Sequence, residues 1–231
     1  MLIAPTGKVH APHVVLSDLR DKIGALEGAQ RRFARTVPVC DAIDDALPGR
    51  GLSLGCIHEV KGHPASAIAF AGLLSARIPR QGAVLYIEPA RSFYPLGLLP
   101  YGVNLQQWVH VRARRERDLV WTVLEALRCP QVNAVLAALK TADLTFSRRL
   151  QLAAESSGAT GFLFGNMASA ITRWRVSSIR NFGWSLELLY CRGGRPGSWN
   201  VAWRNGQLEA TDLSRPMQRE QITAQAGRLA G

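Results

Sequence analysis

The sequence predicts an α/β fold: a mostly parallel sheet flanked by helices, extended by antiparallel strands towards the C-terminus and preceded by a helix. Three observations predict it. Apolar runs of strand length alternate with helical periodicities from about residue 56 to residue 164. Beyond Ala170 the helices give way to short strand-like runs, two of them joined by Asn205-Gly206, a strong hairpin signal. Finally, 47% of the 231 residues are apolar, enough for a large buried core and too many for wholesale disorder.

The chain divides into an N-terminal arm with an amphipathic helix (1–48), a core (49–213) and a polar tail (214–231). Residues 1–16 are polar and proline-punctuated. Ser17 or Asp18 can cap a helix in which Leu19, Ile23, Leu26, Gln30 and Phe33 recur at helical spacing. Arg20, Lys22, Arg31, Arg32 and Arg35 share that helix. So narrow a stripe suits packing on its own domain and docking on a neighbour equally well, and Leu19, Ile23, Leu26 and Phe33 are the candidate partner contacts.

A connector with a helical turn at residues 41–46 leads to a strand at 56–60, ended by Gly62. Pro64 suits the first turn of a helix running to about Arg77. Further strands are expected at 83–88, 108–111, 132–136 and 160–164, with helices at 94–101, 116–128 and 144–156. The antiparallel runs are 174–179, 184–191, 199–203 and 207–211, and the tail carries a weak helical pattern at 218–229.

Strand, glycine and helix at residues 56–77 have the layout of a phosphate-binding loop. In a working loop, G-x-x-x-x-G-K-[ST] surrounds phosphates with backbone N–H groups, adds a lysine and holds magnesium through a hydroxyl. Here the segment is Gly62, His63, Pro64, Ala65, Ser66, Ala67, Ile68 and Ala69. The second glycine, the lysine and the hydroxyl are replaced by Ala67, Ile68 and Ala69. The expectation is a vestigial loop without catalysis, backbone binding of nucleotide at residues 62–66 being the most it could retain.

Residues 52–62 resemble the start of the RecA ATPase core, and residues 82–88 are similar to its next strand, ending in a glutamate, Glu88. Residues 144–155 and 161–164 look like the RecA-like relatives ImuA and SulA. The whole pattern, missing lysine included, most resembles the ImuA family of SOS mutagenesis proteins across roughly residues 15–213. That resemblance implies a RecA-like core and a role in translesion synthesis beside an ImuB-like protein and an error-prone DNA polymerase. It also implies contact with RecA. A SulA-like division inhibitor and a divergent ATPase using an unrecognised lysine are the alternatives.

The chain carries 28 basic and 17 acidic residues, a formal charge of +11, and only Lys8, Lys22, Lys61 and Lys140 among its bases are lysines. Arginine's planar fork suits phosphate oxygens and carboxylates, so nucleic acid or an acidic protein is the expected partner. High genomic GC content would explain the arginine-to-lysine ratio but not the net charge. Cys40, Cys56, Cys129 and Cys191 are scattered without metal or disulfide spacing, as expected of reduced thiols in the cytoplasm. No run reaches the roughly 18 apolar residues of a membrane span, so no membrane partner is expected.

No catalytic constellation rises above background, and no cofactor or metal is expected. His58-Glu59 opens like H-E-x-x-H, but Gly62 stands at the fifth position and the segment reads as a strand. His10 and His13 lack acidic or thiol partners, and no G-x-S-x-G appears. An aspartate expected at the end of the fourth core strand is replaced near Ala138. The basic groups say more. Arg112, Arg114 and Arg115 follow a core strand, with Arg117 beyond them, at the end where open α/β sheets place ligands. Arg173, Arg175, Arg180, Arg192 and Arg195 alternate with Trp174, Trp184, Trp199 and Trp203. These arginines are the candidate nucleic-acid contacts, whereas the tryptophans fit better as core.

Overall fold

The computed structural model describes residues 35–79, 82–90, 93–179 and 183–212, with the backbone alone at Thr141, Thr211 and Asp212. The N-terminal helix with Leu19, Ile23, Leu26 and Phe33, the arginine at Arg180 and the polar tail lie outside these residues.

Nine strands form one sheet in the order β13-β12-β11-β10-β3-β8-β6-β4-β5. Its parallel part comprises β3 (Ile57–Gly62), β8 (Thr160–Leu163), β6 (Val132–Ala137), β4 (Ala83–Glu88) and β5 (Trp108–Arg112). The strand β10 (Thr172–Ile179) runs parallel to β3 and is the hinge of the topology. From it the sheet continues antiparallel through β11 (Gly183–Cys191), β12 (Gly197–Arg204) and β13 (Gln207–Asp212). The architecture is consistent with a RecA-like fold. Asn205 and Gly206, with φ of 49° and 77°, close the last hairpin as their sequence predicts.

Alternation along each parallel strand feeds two cores. On one face Val84, Tyr86, Ala134, Leu136, Phe162 and Trp174 pack with the helix α2 (Pro64–Ala76). On the other, Ile57, Ile87, Val135 and Leu163 pack with α3 (Glu116–Arg128) and α4 (Leu144–Ser157). Strands buried on both faces need apolar residues at successive positions, which is why their sequences read as continuous apolar runs. Helix α2 is apolar on nearly every side because a second layer covers it. Leu98, from the 3₁₀ segment Pro95–Tyr101, sits so close to Gly72 that a Cβ there would meet it at 3.0 Å.

Residues 36–47 belong to the same core as residues beyond 49. The strand β1 (Thr36–Val37) pairs with β2 (Leu52–Ser53), and Val37, Val39, Ile43 and Leu47 are buried beside α2. The short helix α1 (Asp41–Asp44) touches β13. A second two-stranded pairing joins β7 (Thr141–Ala142) to β9 (Asn166–Met167). Two-residue strands carry no periodicity, so neither pairing has a sequence signal. Trp174, Trp184 and Trp199 are buried in the core, and Trp203 is partly buried. Among the described residues no helix is long and apolar enough to cross a membrane.

Candidate functional site

The carboxyl ends of β3, β4, β6 and β8 meet at the start of α2, the place where an open α/β sheet has its crevice. The strand β3 runs through Gly62 and α2 begins at Pro64, so His63 alone connects them. No loop is wrapped here. Gly62, at φ +129°, pairs with Val176 of β10, and Pro64, Ala65, Ser66, Ala67, Ile68 and Ala69 are all helical. The sequence reading placed a short loop between strand and helix. The difference arises because the strand pairing extends one glycine further and proline starts the helix at once. Ile68 is 9% exposed and belongs to the apolar core, so the position of the phosphate-loop lysine faces hydrocarbon.

Two cavities flank this junction and share Pro64 and Ile68. The first, about 420 Å³, is lined by Lys61, Gly62, Tyr86, Glu88, Ala138 and Phe164 among others. Ala138 stands at its edge without a carboxylate, as the sequence suggests. Glu88 is 2% exposed, and its Oε1 accepts from His110 Nε2 at 2.8 Å and from the Phe93 N–H at 3.3 Å. The expected glutamate is thus present, held by β5 and by the segment after β4. The second cavity, about 510 Å³, lies towards the antiparallel extension and is lined by His63, Ser66, Phe93, Leu98, Tyr101 and Trp184 among others.

Lys61 lines the first cavity while its Nζ pairs with Glu59 Oε1 at 2.9 Å. Glu59 is buried and also accepts from the Met167 N–H at 2.6 Å, with Arg173 Nε 3.6 Å away. His58 points to the other face of β3. Its Nε2 donates to the Ser53 carbonyl at 2.8 Å, which leaves Nδ1 to accept from the Thr172 hydroxyl at 2.7 Å. That hydroxyl accepts in turn from Trp174 Nε1 at 2.8 Å. Burial pushes the imidazole down to about 4, so the ring is neutral. The network is structural, as the failed H-E-x-x-H pattern implies. Among the described residues no group of His, Cys, Asp and Glu could hold a metal ion.

The candidate arginines separate into two kinds. Arg173 is engaged by Glu59, by the carbonyls of Met167 and Ala168 and by the Tyr190 ring, 5.4 Å from its guanidinium. Arg175 pairs with Glu187 at 2.7 Å. Arg195 donates to the carbonyls of Asp45 and Ala46 through its side chain and backbone, tying α1 to the β11–β12 turn. Arg192 is partly buried beside that turn. Arg112, Arg114 and Arg115 stay exposed together at the end of β5. Sequence spacing groups arginines by proximity along the chain; acidic partners brought from other strands decide which remain free.

The residues that sequence reading missed are His110, Phe93, Tyr101 and Trp184, which join this region from four separate segments. No local pattern carries such a convergence. No family model matches the chain. It is 32% identical over 192 aligned residues to Protein ImuA of Caulobacter vibrioides, in each of two strains, covering 68% of this chain and 79% of that protein.

Proposed function

The chain belongs to the ImuA family, and from that premise we propose that it acts in SOS-induced, damage-dependent mutagenesis as a binding protein that does not hydrolyse ATP. The observation that carries the second half is the single-residue connection between β3 and α2, with Ile68 and Ala69 where a lysine and a magnesium-binding hydroxyl would stand. Phosphoryl transfer rests almost wholly on positioning and charge stabilisation, and neither is supplied by a buried isoleucine and an alanine. Glu88 has no clamped phosphate to direct water at, and it is held by His110 and the Phe93 N–H.

In this reading the protein works in the cytoplasm beside an ImuB-like protein and an error-prone polymerase, with RecA as a further contact. Direct DNA contact belongs to Arg112, Arg114 and Arg115, because Arg173, Arg175 and Arg195 are engaged within the fold. The test is genetic and biochemical together. A strain lacking its own copy, supplied with this chain, should regain damage-induced mutation, and the Ile68→Val chain should do so equally well. Purified chain should release no phosphate from ATP above a protein-free control, with or without single-stranded DNA. Restored mutation with clear phosphate release would overturn the non-catalytic half; no restoration from stable protein would overturn the other.

A further inference from the structure

The cavity between α2 and the antiparallel extension holds a combination that the mutagenesis reading does not use. Its floor is the amino end of a 13-residue helix. Pro64 has no N–H, the His63 side chain makes no capping bond, and the N–H groups of Ala65 and Ser66 fall in the first turn, which has no intrahelical acceptor. Ser66 is the independent observation. It is 6% exposed, lines the cavity, and its hydroxyl has no hydrogen-bond partner among the described residues. The hydroxyl is open to the cavity rather than sealed in the core, so an acceptor entering the cavity could bond it.

The walls are apolar and aromatic, with Phe93, Leu98, Tyr101 and Trp184 around the space and the last two rings 5.2 Å apart. Apolar surface continues outside the mouth. Tyr94, which also lines the cavity, is 69% exposed, and Leu96 and Leu99 beside it are 53% and 52% exposed. A small molecule inside the cavity would leave that rim in water, whereas a chain lying across it would cover it. The charge also decides. Among the described lining residues there is no lysine or arginine, so the several charges of a nucleotide triphosphate have no counterpart. One carboxylate needs only two N–H groups and a hydroxyl at a helix N-terminus. The net charge of +11 draws acidic rather than basic partners.

We propose that this cavity receives a short acidic peptide segment of a partner protein. A carboxylate sits on the N–H groups of Ala65 and Ser66 and on Ser66 Oγ. An adjoining apolar or aromatic side chain fills the space between Phe93, Leu98, Tyr101 and Trp184. The carboxylate comes from an Asp or Glu side chain or from a chain end, and the chemistry is the same. The inference rests on the cavity alone and stands or falls apart from the role in mutagenesis.

The experiment is a selection of random peptides on the full-length chain, with one library displayed internally and one with free carboxyl ends, followed by anisotropy titration of the labelled consensus. The expected consensus places an acidic group next to an aromatic or branched apolar residue, and the library that yields it identifies the carboxylate's source. Ala65→Glu sets a carboxylate where the partner's would lie while complementing the helix dipole, so the fold is kept and affinity falls about tenfold or more. Tyr94→Ala, on the exposed rim, should weaken binding about fivefold. A selection without enrichment, a consensus without an acidic group, equal binding by Ala65→Glu, or displacement of the peptide by ADP would each overturn the proposal.

Discussion

A Cβ placed on Gly62 would stand 1.8 Å from the carbonyl oxygen of Val176. That closeness ties the end of β3 to β10, and it accounts for the missing phosphate loop. With the β10 backbone pressed against it, the chain stays in the sheet through Gly62 and has one residue in which to turn into α2.

Gly62→Ala should therefore destabilise the fold by about 3 kcal/mol or more, since it combines a left-handed φ of +129° with a backbone collision. Urea denaturation measures it. A loss within about 0.5 kcal/mol, the usual range for an inert surface change, would mean that β10 yields freely and the contact constrains nothing.

Putting the chemistry back should fail. The double variant Ile68→Lys, Ala69→Ser restores the residue types of a working loop but places them on the second turn of a helix. It should release no phosphate from ATP, and it should lower stability because the lysine replaces a buried core side chain. Phosphate release above background would show that the helix start can rearrange around nucleotide.

His58 gives the fold an acid-side weakness. Its folded pKa of about 4 lies below the ordinary 6.5, because burial disfavours the charged ring. At pH 7 both states hold a neutral ring and nothing is lost. As pH falls below 6.5 the unfolded chain gains a proton that the folded chain refuses, and stability declines until about pH 4. The total is on the order of 3 kcal/mol. His58→Gln should be less stable at pH 7 yet lack this component, so its stability should approach that of the wild type between pH 6.5 and 4. Parallel profiles would refute the assignment.

Asp44 works in the opposite sense. Burial raises its carboxyl from 3.8 to about 6, against the lowering effect of the Val39 N–H that donates to both its oxygens. The fold prefers the neutral acid, so this group's contribution is fully present below pH 3.8 and is lost as pH rises through 6. Asp44→Asn keeps an acceptor for Val39 and should be more stable than wild type at pH 8, with the difference shrinking towards pH 4. A constant difference across that range would exclude titration of Asp44 as its cause.

Anisotropy with labelled single-stranded DNA at two salt concentrations checks the arginine assignment. Replacing Arg112, Arg114 and Arg115 by glutamine should weaken binding at least tenfold and flatten the salt dependence by up to about three contacts. Arg175→Gln should change binding little, because its guanidinium already serves Glu187. Arg195→Ala should act on stability by freeing the Asp45 carbonyl, while the backbone bond to the Ala46 carbonyl remains. Equal weakening by all three would return the DNA surface to the antiparallel extension.

Much of the fold was legible because periodicity is local. The run at 83–88 has strand length and lies between turn signals, and residues 116–128 present one apolar stripe; both match the observed bounds. The pairing of β1 with β2 was not legible, since a two-residue strand has no period and its partner lies beyond a helix. At the site, the losses at Ile68 and Ala69 could be read directly. The convergence of Phe93, Tyr101 and Trp184 could not, because it depends on sheet order.

By itself the sequence determined the succession of strands and helices, the apolar floor beneath α2 and the surplus of arginine. These follow from side-chain chemistry and spacing, which act over a few residues. Only the tertiary structure decided that Gly62 stays in the sheet, that Glu59 and Glu187 occupy Arg173 and Arg175, and that Ser66 faces an aromatic cavity. Each of these is a contact between segments far apart in the chain. It exists only once a strand order is chosen, and that choice reflects the packing of the whole sheet.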